Sequence, residues 1–147
     1  MSNPNEGDLE NDVVARLQSL GWEYQHGSNF IPHQDSTQRK KLSDVVLKEH
    51  LSNAIERLNP GIAMGIKDEV VSRVLSFAQG DDLAANNERF NQMFTDGATV
   101  NTQVDGAERG QIVKLVDVQN VQNNHFLVVN QYQIKEDQDK RIPDVVL

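Results

Sequence analysis

The stretch "KRIPDVVL", residues 140–147, decides the fold prediction. Pro143 cannot donate a hydrogen bond to a neighbouring strand, so proline is tolerated at the first position of a strand or at a sheet edge. Asp144 follows it directly, and the apolar run 145–147 is typical of a buried strand. We therefore expect an acidic side chain at the mouth of a buried strand, where it is held at the rim of a sheet.

Three further strands are expected between residue 97 and this stretch, and a short one at Trp22–Tyr24. The runs "ATVNTQV", "GQIVKLVDV" and "HFLVVNQYQI" either alternate apolar with polar residues or are partly apolar on both faces. Asp105-Gly106 and "NVQNN" are turn signals between them, and "KEDQDKRIP" is typical of a charged loop. Residues 97–147 are thus predicted to form an antiparallel meander followed by the first part of a fourth strand.

Four amphipathic helices are expected in residues 1–96, because apolar side chains recur there at helical spacing. Asp8 and Ser43 are predicted to cap the first two helices, while Asn59-Pro60 and Gly80 are predicted to end the second and third. The predicted inward-facing residues are Leu9, Val13, Leu17, Leu20, Leu47, Leu51, Ile55, Leu58, Val70, Val74, Phe77, Leu83, Phe90 and Phe94. Helices followed by strands indicate an α+β domain or the front part of an α/β domain.

The composition excludes several classes of protein. The chain has 147 residues, of which 37% are hydrophobic and 24% charged, so it is long enough for one domain with a core. It contains no cysteine, which excludes a disulfide scaffold, a thiolate metal site and a cysteine nucleophile, and suits a reducing cytosol. No signal peptide is visible and no apolar run approaches the ~20 residues that span a bilayer. We therefore expect a cytoplasmic protein with no membrane partner.

The formal net charge of -8 bears on the choice of partner. Binding through nucleic-acid phosphates needs Lys and Arg, so the charge alone favours an acidic protein-interaction domain. It does not exclude a nuclease core, in which carboxylates hold metal ions and other parts of the protein hold the DNA. The basic cluster Arg39, Lys40 and Lys41 could contact a DNA phosphate or a partner subunit, but the expectation we favour is a solvated loop.

Asp144 is the residue that best supports chemistry. Together with a second carboxylate it can hold a divalent cation through oxygen ligands, and such a cation lowers the pKa of water and stabilises charge at a phosphoryl centre. The alternative is a Pro-Asp turn that only ends a loop before a strand. The four histidines are scattered, and the sequence contains neither a Gly-rich phosphate loop nor a G-x-S-x-G motif. ATP binding and serine hydrolysis are therefore not supported within this chain.

Five blocks of the sequence resemble, in order and spacing, the N-terminal nuclease region of the motor (R, or HsdR) subunit of type I restriction enzymes. They are "LENDVVARLQSLGWEY", "LKEHLSNAIERLNP", "NNERFNQMFTDGATV", "KLVDVQNVQNNHFLVVNQY" and "RIPDVVL". The resemblance covers most of the chain, and the combination of blocks is specific, whereas a bare Pro-Asp is not. It implies that residues 1–147 are a single N-terminal region of an R subunit. Residues 1–96 would be its mainly helical part, and residues 97–147 the truncated first strands of a PD-(D/E)xK restriction-endonuclease-like core.

The resemblance also implies catalytic residues. In that family a helix acid, the Asp of Pro-Asp and a later Glu-x-Lys surround one or two Mg²⁺ ions. Asp144 matches the Pro-Asp position and Glu10 is the candidate helix acid, so both are predicted as catalytic residues and metal ligands. For Glu10 the alternative is a favourable acid in the first helical turn. Gln131 and Tyr132 lie next to this site in sequence; they could face it, but we expect them to pack or to lie on an exposed strand face.

The implied function is Mg²⁺-dependent phosphodiester cleavage of unmodified double-stranded DNA, in an ATP-dependent complex with methyltransferase and specificity subunits. The Glu-x-Lys pair and the ATP-binding translocase domains are expected after Leu147, so residues 1–147 alone are expected not to cleave DNA. Two alternatives stay open. One is a non-catalytic protein-docking module of a DNA-processing ATPase, and the other is a different PD-(D/E)xK nuclease.

Overall fold

The computed structural model of the protein describes residues 5–77, 82–104, 106–136 and 138–147. The chain folds as two compact units, residues 5–45 with 125–147 and residues 46–124. The predicted helix end at Gly80, the predicted turn residue Asp105 and the predicted inward side chain of Leu83 lie outside the description.

Helices and strands are both present, so the protein is α+β. The helices are α1 (Glu6–Ser19), α2 (Lys48–Leu58), α3 (Met64–Phe77) and α4 (Leu83–Asp96). The strands are β1 (Glu23–His26), β2 (Ala98–Val104), β3 (Ala107–Val113), β4 (Leu127–Asn130), β5 (Ile134–Glu136), β6 (Asp139–Arg141) and β7 (Val145–Val146). Short 3-10 helices cover Gly27–Phe30 and Val121–Asn123. Within the described ranges, every helix is too short or too polar to cross a membrane.

A three-stranded mixed sheet, in the order β1-β4-β7, forms the centre of the first unit. Its middle strand is β4, in which Val128 and Val129 are buried. β7 runs antiparallel to β4, with Val146 opposite Val129. The predicted antiparallel meander is wrong, because among the described strands β2 and β3 pair only with each other and β4 pairs with β1 and β7. β1 runs parallel to β4, a pairing that the sequence prediction does not contain. Parallel strands need a long connection, and residues 27–126 provide it.

The predicted strand "HFLVVNQYQI" is interrupted at Gln131. This residue has a φ of 53°, in the left-handed region, and among the described residues it is the one non-glycine with a positive φ. β4 therefore ends at Asn130, and the chain leaves the sheet. The predicted charged loop "KEDQDKRIP" then contributes to the hairpin β5–β6, in which Lys135 lies opposite Lys140. After the hairpin the chain returns to the sheet as β7.

Helix α1 begins earlier than predicted, and its cap is Asn5 rather than Asp8. The Asp8 N–H donates to Asn5 Oδ1 at 2.9 Å, and the Asn5 N–H donates to Asp8 Oδ2 at 3.2 Å. These reciprocal bonds form a capping box in which Asp8 is the third residue of the helix. The acid that was expected to cap the helix therefore still stabilises its first turn.

The predicted inward face of α1 is wrong for Leu9, Val13 and Leu20, which are 62%, 41% and 71% exposed, and correct for the half-buried Leu17. Val14, which was not predicted to face inward, is buried. The face that contacts the sheet carries Glu10, Val14 and Leu17, which also recur at helical spacing. Because this face begins with a charged residue, the outward stripe that begins at Leu9 gives the stronger apolar signal in the sequence.

The second unit packs α2, α3 and α4 against the hairpin β2–β3. Its buried core consists of Ile55, Val70, Val71, Val74, Ala98, Val100, Val113 and Leu115. The prediction that Ile55, Val70 and Val74 face inward is confirmed, whereas Phe94 is 40% exposed. α2 begins only at Lys48, so Ser43 does not cap it. β3 ends at Val113, so the second half of the predicted strand "GQIVKLVDV" is a loop.

The loop after β3 is held by the buried carboxylate of Asp117. Its Oδ1 accepts hydrogen bonds from the N–H groups of Gln119 and Asn120 at 3.1 and 2.9 Å, and its Oδ2 accepts one from Asn123 Nδ2 at 3.0 Å. The bonds from the Asn120 backbone and the Asn123 side chain hold the pKa of Asp117 below its usual value. Asp117 is therefore a structural acid that closes the polar segment around the 3-10 helix Val121–Asn123.

The lowered pKa of Asp117 makes the second unit less stable at acidic pH. Because its pKa is lower in the folded than in the unfolded chain, its contribution is complete above about pH 4 and is lost as the pH falls through the folded value. Asp117→Asn keeps the Oδ1 acceptor and removes the ionisation. We expect this variant to flatten the decline of the thermal midpoint below pH 4, measured by circular dichroism. The exposed acid Asp68 provides the control, and a decline as steep in Asp117→Asn as in Asp68→Asn would contradict the assignment.

Candidate functional site

The Glu10 carboxylate is held by two amide side chains at the end of β4. Asn130 Nδ2 donates to Glu10 Oε1 at 2.6 Å, and Gln131 Nε2 donates to Glu10 Oε2 at 2.9 Å. Glu10 is half-buried on the sheet-facing side of α1. A carboxylate has two lone pairs on each oxygen, so each oxygen of Glu10 keeps one free after accepting its amide hydrogen bond. The group is thus fixed in position and still able to accept.

Tyr24 of β1 bonds to the oxygen end of the Asn130 amide. The Tyr24 hydroxyl donates to Asn130 Oδ1 at 2.9 Å, and Asn130 is only 8% exposed. The Glu10 carboxylate can only accept, so it fixes the NH₂ group of Asn130 towards itself, and the Tyr24 hydroxyl donates to the oxygen that remains. A line of hydrogen bonds therefore runs from β1 through β4 to α1.

Gly27 closely approaches the backbone that carries these amides. A Cβ atom at Gly27 would lie 2.2 Å from the Gln131 carbonyl oxygen and 2.7 Å from the Asn130 carbonyl oxygen. Backbone atoms cannot move aside as the tip of a flexible side chain can, so this position requires glycine. The close packing of the 3-10 helix Gly27–Phe30 on the end of β4 depends on that missing side chain.

Asp144 directly precedes β7 and lies beside the same residue, Gln131. The Gln131 N–H donates to the Asp144 carbonyl oxygen at 3.1 Å, and the Tyr132 N–H donates to the Pro143 carbonyl oxygen at 3.2 Å. The side chain of Asp144 is exposed. Both predicted site residues are thus bonded to Gln131. Its side-chain amide contacts Glu10, and its backbone N–H contacts Asp144.

The donor set fits part of a site for a hard divalent cation. Glu10 and Asp144 offer carboxylate oxygens, which are the ligands that Mg²⁺ prefers. Across the ranges that the structure describes, no group of three or more His, Cys, Asp or Glu side chains is placed to hold a metal ion. The two carboxylates would therefore supply part of a ligand set, and their role as ligands stays a prediction.

The partners of Glu10 were not found by sequence reasoning. Gln131, expected to pack or to lie on an exposed strand face, contacts Glu10 instead, and neither Asn130 nor Tyr24 is a predicted site residue. The signal available in the sequence is "VVNQY", where two amide residues directly follow two valines of a buried strand. Tyr132 does pack as expected, because it is buried and its ring lies edge-on to Phe30 with 6.2 Å between the centroids.

A family model described as the N terminus of the type I restriction enzyme R protein matches residues 3–147. The chain belongs to this family. It is 38% identical over 143 residues to the type I restriction enzyme HindI endonuclease subunit of Haemophilus influenzae, which covers 97% of this chain and 14% of that protein. It is 30% identical over 142 residues to a Methanocaldococcus jannaschii protein provisionally named type I restriction enzyme MjaIXP endonuclease subunit, which covers 95% of this chain and 13% of that protein. No solved structure matches the chain.

Membership of the R protein N-terminus family confirms the resemblance found in the sequence. The chain spans only 14% and 13% of the lengths of the two relatives. The endonuclease names therefore belong to much longer proteins, of which this R protein N terminus corresponds to a small part.

The basic cluster of this R protein N terminus is not a solvated loop at Arg39. Arg39 is 1% exposed, and its guanidinium carbon lies 4.4 Å from the centroid of the Tyr132 ring. Its guanidinium donates to the backbone carbonyls of Phe30, Leu42, Asp44 and Gln133. The neighbouring Lys40 and Lys41 are exposed, as expected. Arg39 thus ties the loop 31–45 to the chain that follows β4, and it is not available to a DNA phosphate.

Arg39→Lys tests this structural role. One ammonium group cannot reach all four backbone carbonyl groups to which the guanidinium donates, so buried acceptors lose their donors. We expect the free energy of unfolding to fall by about 3 kcal/mol. Urea unfolding followed by the fluorescence of Trp22, the single tryptophan, reports this in the first unit. The matched control Lys41→Met should change stability by less than about 0.5 kcal/mol. Equal stabilities for the two variants would contradict the assignment.

Proposed function

We propose that this chain is the nuclease region of a type I restriction endonuclease R subunit and contributes Glu10 and Asp144 to Mg²⁺-dependent cleavage of DNA phosphodiester bonds. The observation that carries the proposal is the double attachment of Gln131, whose amide contacts Glu10 and whose N–H contacts Asp144. It attaches the carboxylate of Glu10 and the backbone of Asp144 to one residue, directly after β4. Family membership supports the same function at the level of the whole subunit.

Glu10 and Asp144 would hold the metal ion through their carboxylate oxygens. A bound Mg²⁺ supplies a water of lowered pKa and neutralises charge on the phosphoryl oxygens. The protein's part is to hold one carboxylate rigidly on α1 and to expose the other at the start of β7. The remaining ligands and a lysine would come from a Glu-x-Lys segment outside these 147 residues.

Double-stranded DNA is the proposed substrate, and methyltransferase and specificity subunits are the proposed partners in a cytoplasmic complex. The formal net charge of -8 leaves most DNA phosphate contacts to other parts of that complex. ATP binding and translocation would likewise lie in other parts of the subunit, because the sequence contains no Gly-rich phosphate loop.

A docking role is the second candidate, and it concerns the second unit. Ile112, Val118 and Val121 are 65%, 66% and 54% exposed there, and the unit carries no residue of the candidate site. Exposed apolar residues of this kind are found at protein interfaces. Such a role is compatible with a nuclease site in the first unit.

Alanine substitutions in the whole R subunit, assembled with its partner subunits, test the nuclease proposal. Glu10→Ala and Asp144→Ala should each lower DNA cleavage by at least about 100-fold, because each removes a metal ligand. ATP hydrolysis and translocation should be unchanged. Asp139→Ala, at an exposed acid of β6, is the matched control and should cleave normally. Normal cleavage by Asp144→Ala would reduce that residue to a turn acid and overturn the proposal.

A further inference from the structure

We propose that Asn130 and Gln131 are positioning residues that hold Glu10 ready for a metal ion, and that the hydrogen bond from Tyr24 restrains the Asn130 side chain. We call these three residues, with Glu10, the amide clamp. The inference rests on the proposed function and adds three residues to it. None of the three needs to touch the metal or the DNA.

The amide clamp exists because two successive residues reach the same carboxylate. In a regular strand, successive side chains point to opposite faces, so neighbouring residues cannot normally donate hydrogen bonds to the same carboxylate. The φ of 53° at Gln131 breaks this alternation and brings its amide to Glu10 beside that of Asn130. A left-handed conformation is uncommon for glutamine. The hydrogen bond from the Gln131 amide to Glu10 depends on this conformation.

The surroundings keep that conformation in place. Gly27 lies so close to the carbonyl oxygens of Asn130 and Gln131 that even a methyl group would displace them. On the other side, the N–H of Gln131 is bonded to the carbonyl of Asp144. The backbone of the clamp is thus held between the 3-10 helix Gly27–Phe30 and the start of β7.

Tyr24 and Glu10 bond to opposite ends of the Asn130 amide. If the Asn130 amide were reversed, its NH₂ group would face the Tyr24 hydroxyl and its oxygen would face Glu10 Oε1. The hydroxyl could then accept from the NH₂ group, but two oxygens would meet at the 2.6 Å contact with Glu10, which excludes this arrangement. Glu10 therefore sets which end of Asn130 faces it, and the Tyr24 hydroxyl restrains the Asn130 side chain by bonding to its other end.

The charge of Glu10 is unpaired within the described part of the chain, which indicates that this residue binds a cation and does not only stabilise the fold. Among the described residues, the ion pairs of this protein do not include Glu10, and its two contacts are neutral amides. Packing of α1 is already provided by the buried Val14. A half-buried carboxylate with fixed orientation, a free lone pair on each oxygen and no cationic side chain is suited to a metal ligand.

Three variants of the whole R subunit separate the members of the clamp. Tyr24→Phe removes only the hydroxyl, and Asn130→Leu replaces the amide by an apolar group of similar size. Gln131→Gly removes the amide while relieving the left-handed backbone, so it should not destabilise the fold through strain. Asp139→Ala is again the control for general changes of charge and expression.

Two readouts are needed. The first is Mn²⁺ binding to the nucleotide-free subunit, followed by the electron paramagnetic resonance of free Mn²⁺, with Asp144→Ala used to identify the site. The second is the Mg²⁺ concentration that gives half-maximal DNA cleavage. We expect Asn130→Leu and Gln131→Gly to weaken Mn²⁺ binding about 10-fold, and Tyr24→Phe to weaken it less, in line with other residues that orient metal ligands. The Mg²⁺ requirement should rise in the same order, and ATP hydrolysis should not change.

The outcomes distinguish this inference from the proposed function. If Glu10→Ala leaves Mn²⁺ binding and cleavage intact, the proposed function fails for Glu10 and the inference fails with it. If Glu10→Ala removes both, but Tyr24→Phe and Gln131→Gly bind Mn²⁺ like the unaltered subunit, only the clamp is overturned. Should Asn130→Leu fail to fold, those two variants still decide the question. Weakened binding in Gln131→Gly with an unchanged thermal midpoint supports the clamp directly.

Discussion

The left-handed backbone of Gln131 is the constraint on which the candidate site depends. At this residue β4 ends, the chain leaves the sheet for the hairpin β5–β6, and the side chain turns to Glu10. The N–H of the same residue bonds to the carbonyl of Asp144, directly before β7. A single departure from extended conformation therefore ends β4 and places the Gln131 amide on Glu10 beside that of Asn130. Gly27 is needed because the chain passes so close to this point.

Polar side chains that are fully buried and the half-buried Glu10 have different roles in this protein. Arg39 and Asp117 are buried and bonded to backbone groups or neutral amides, and each fixes a loop of its own unit. Glu10 is only half-buried, and its bonds leave lone pairs available. Buried polar groups whose bonding capacity is satisfied stabilise a fold, whereas a held but incompletely satisfied carboxylate suits ligand binding. This contrast separates Glu10 from the other acids of the chain more clearly than its position in the sequence does.

Local chemistry in the sequence predicted most elements and the hairpin β2–β3, but not β5, β6 or the pairing of β1 with β4. Pro143 and the apolar run after it correctly indicate a strand after Asp144, but β7 has only two residues, both half-buried, and Leu147 is 71% exposed, so the prediction of a buried strand is wrong. Helical spacing correctly places Ile55, Val70 and Val74 in a core. The parallel pairing of β1 with β4 joins segments about a hundred residues apart, and short-range patterns carry no information about it. The break at Gln131 was missed because glutamine gives no turn signal, unlike glycine or asparagine. Glu10 was placed on α1 from the family resemblance, while its amide partners follow only from the packed structure.

The most direct test of a metal ion at this site is paramagnetic broadening of the side-chain amide signals in nuclear magnetic resonance spectra of the whole R subunit, with its asparagine and glutamine side chains isotope-labelled. Mn²⁺ added in small amounts should broaden the NH₂ signals of Asn130 and Gln131 before those of other amide side chains, and Asp144→Ala should abolish this selectivity. If the broadening is spread over the acidic surface, or leaves Asn130 and Gln131 unaffected while other sites respond, the metal does not bind at Glu10 and the account is contradicted.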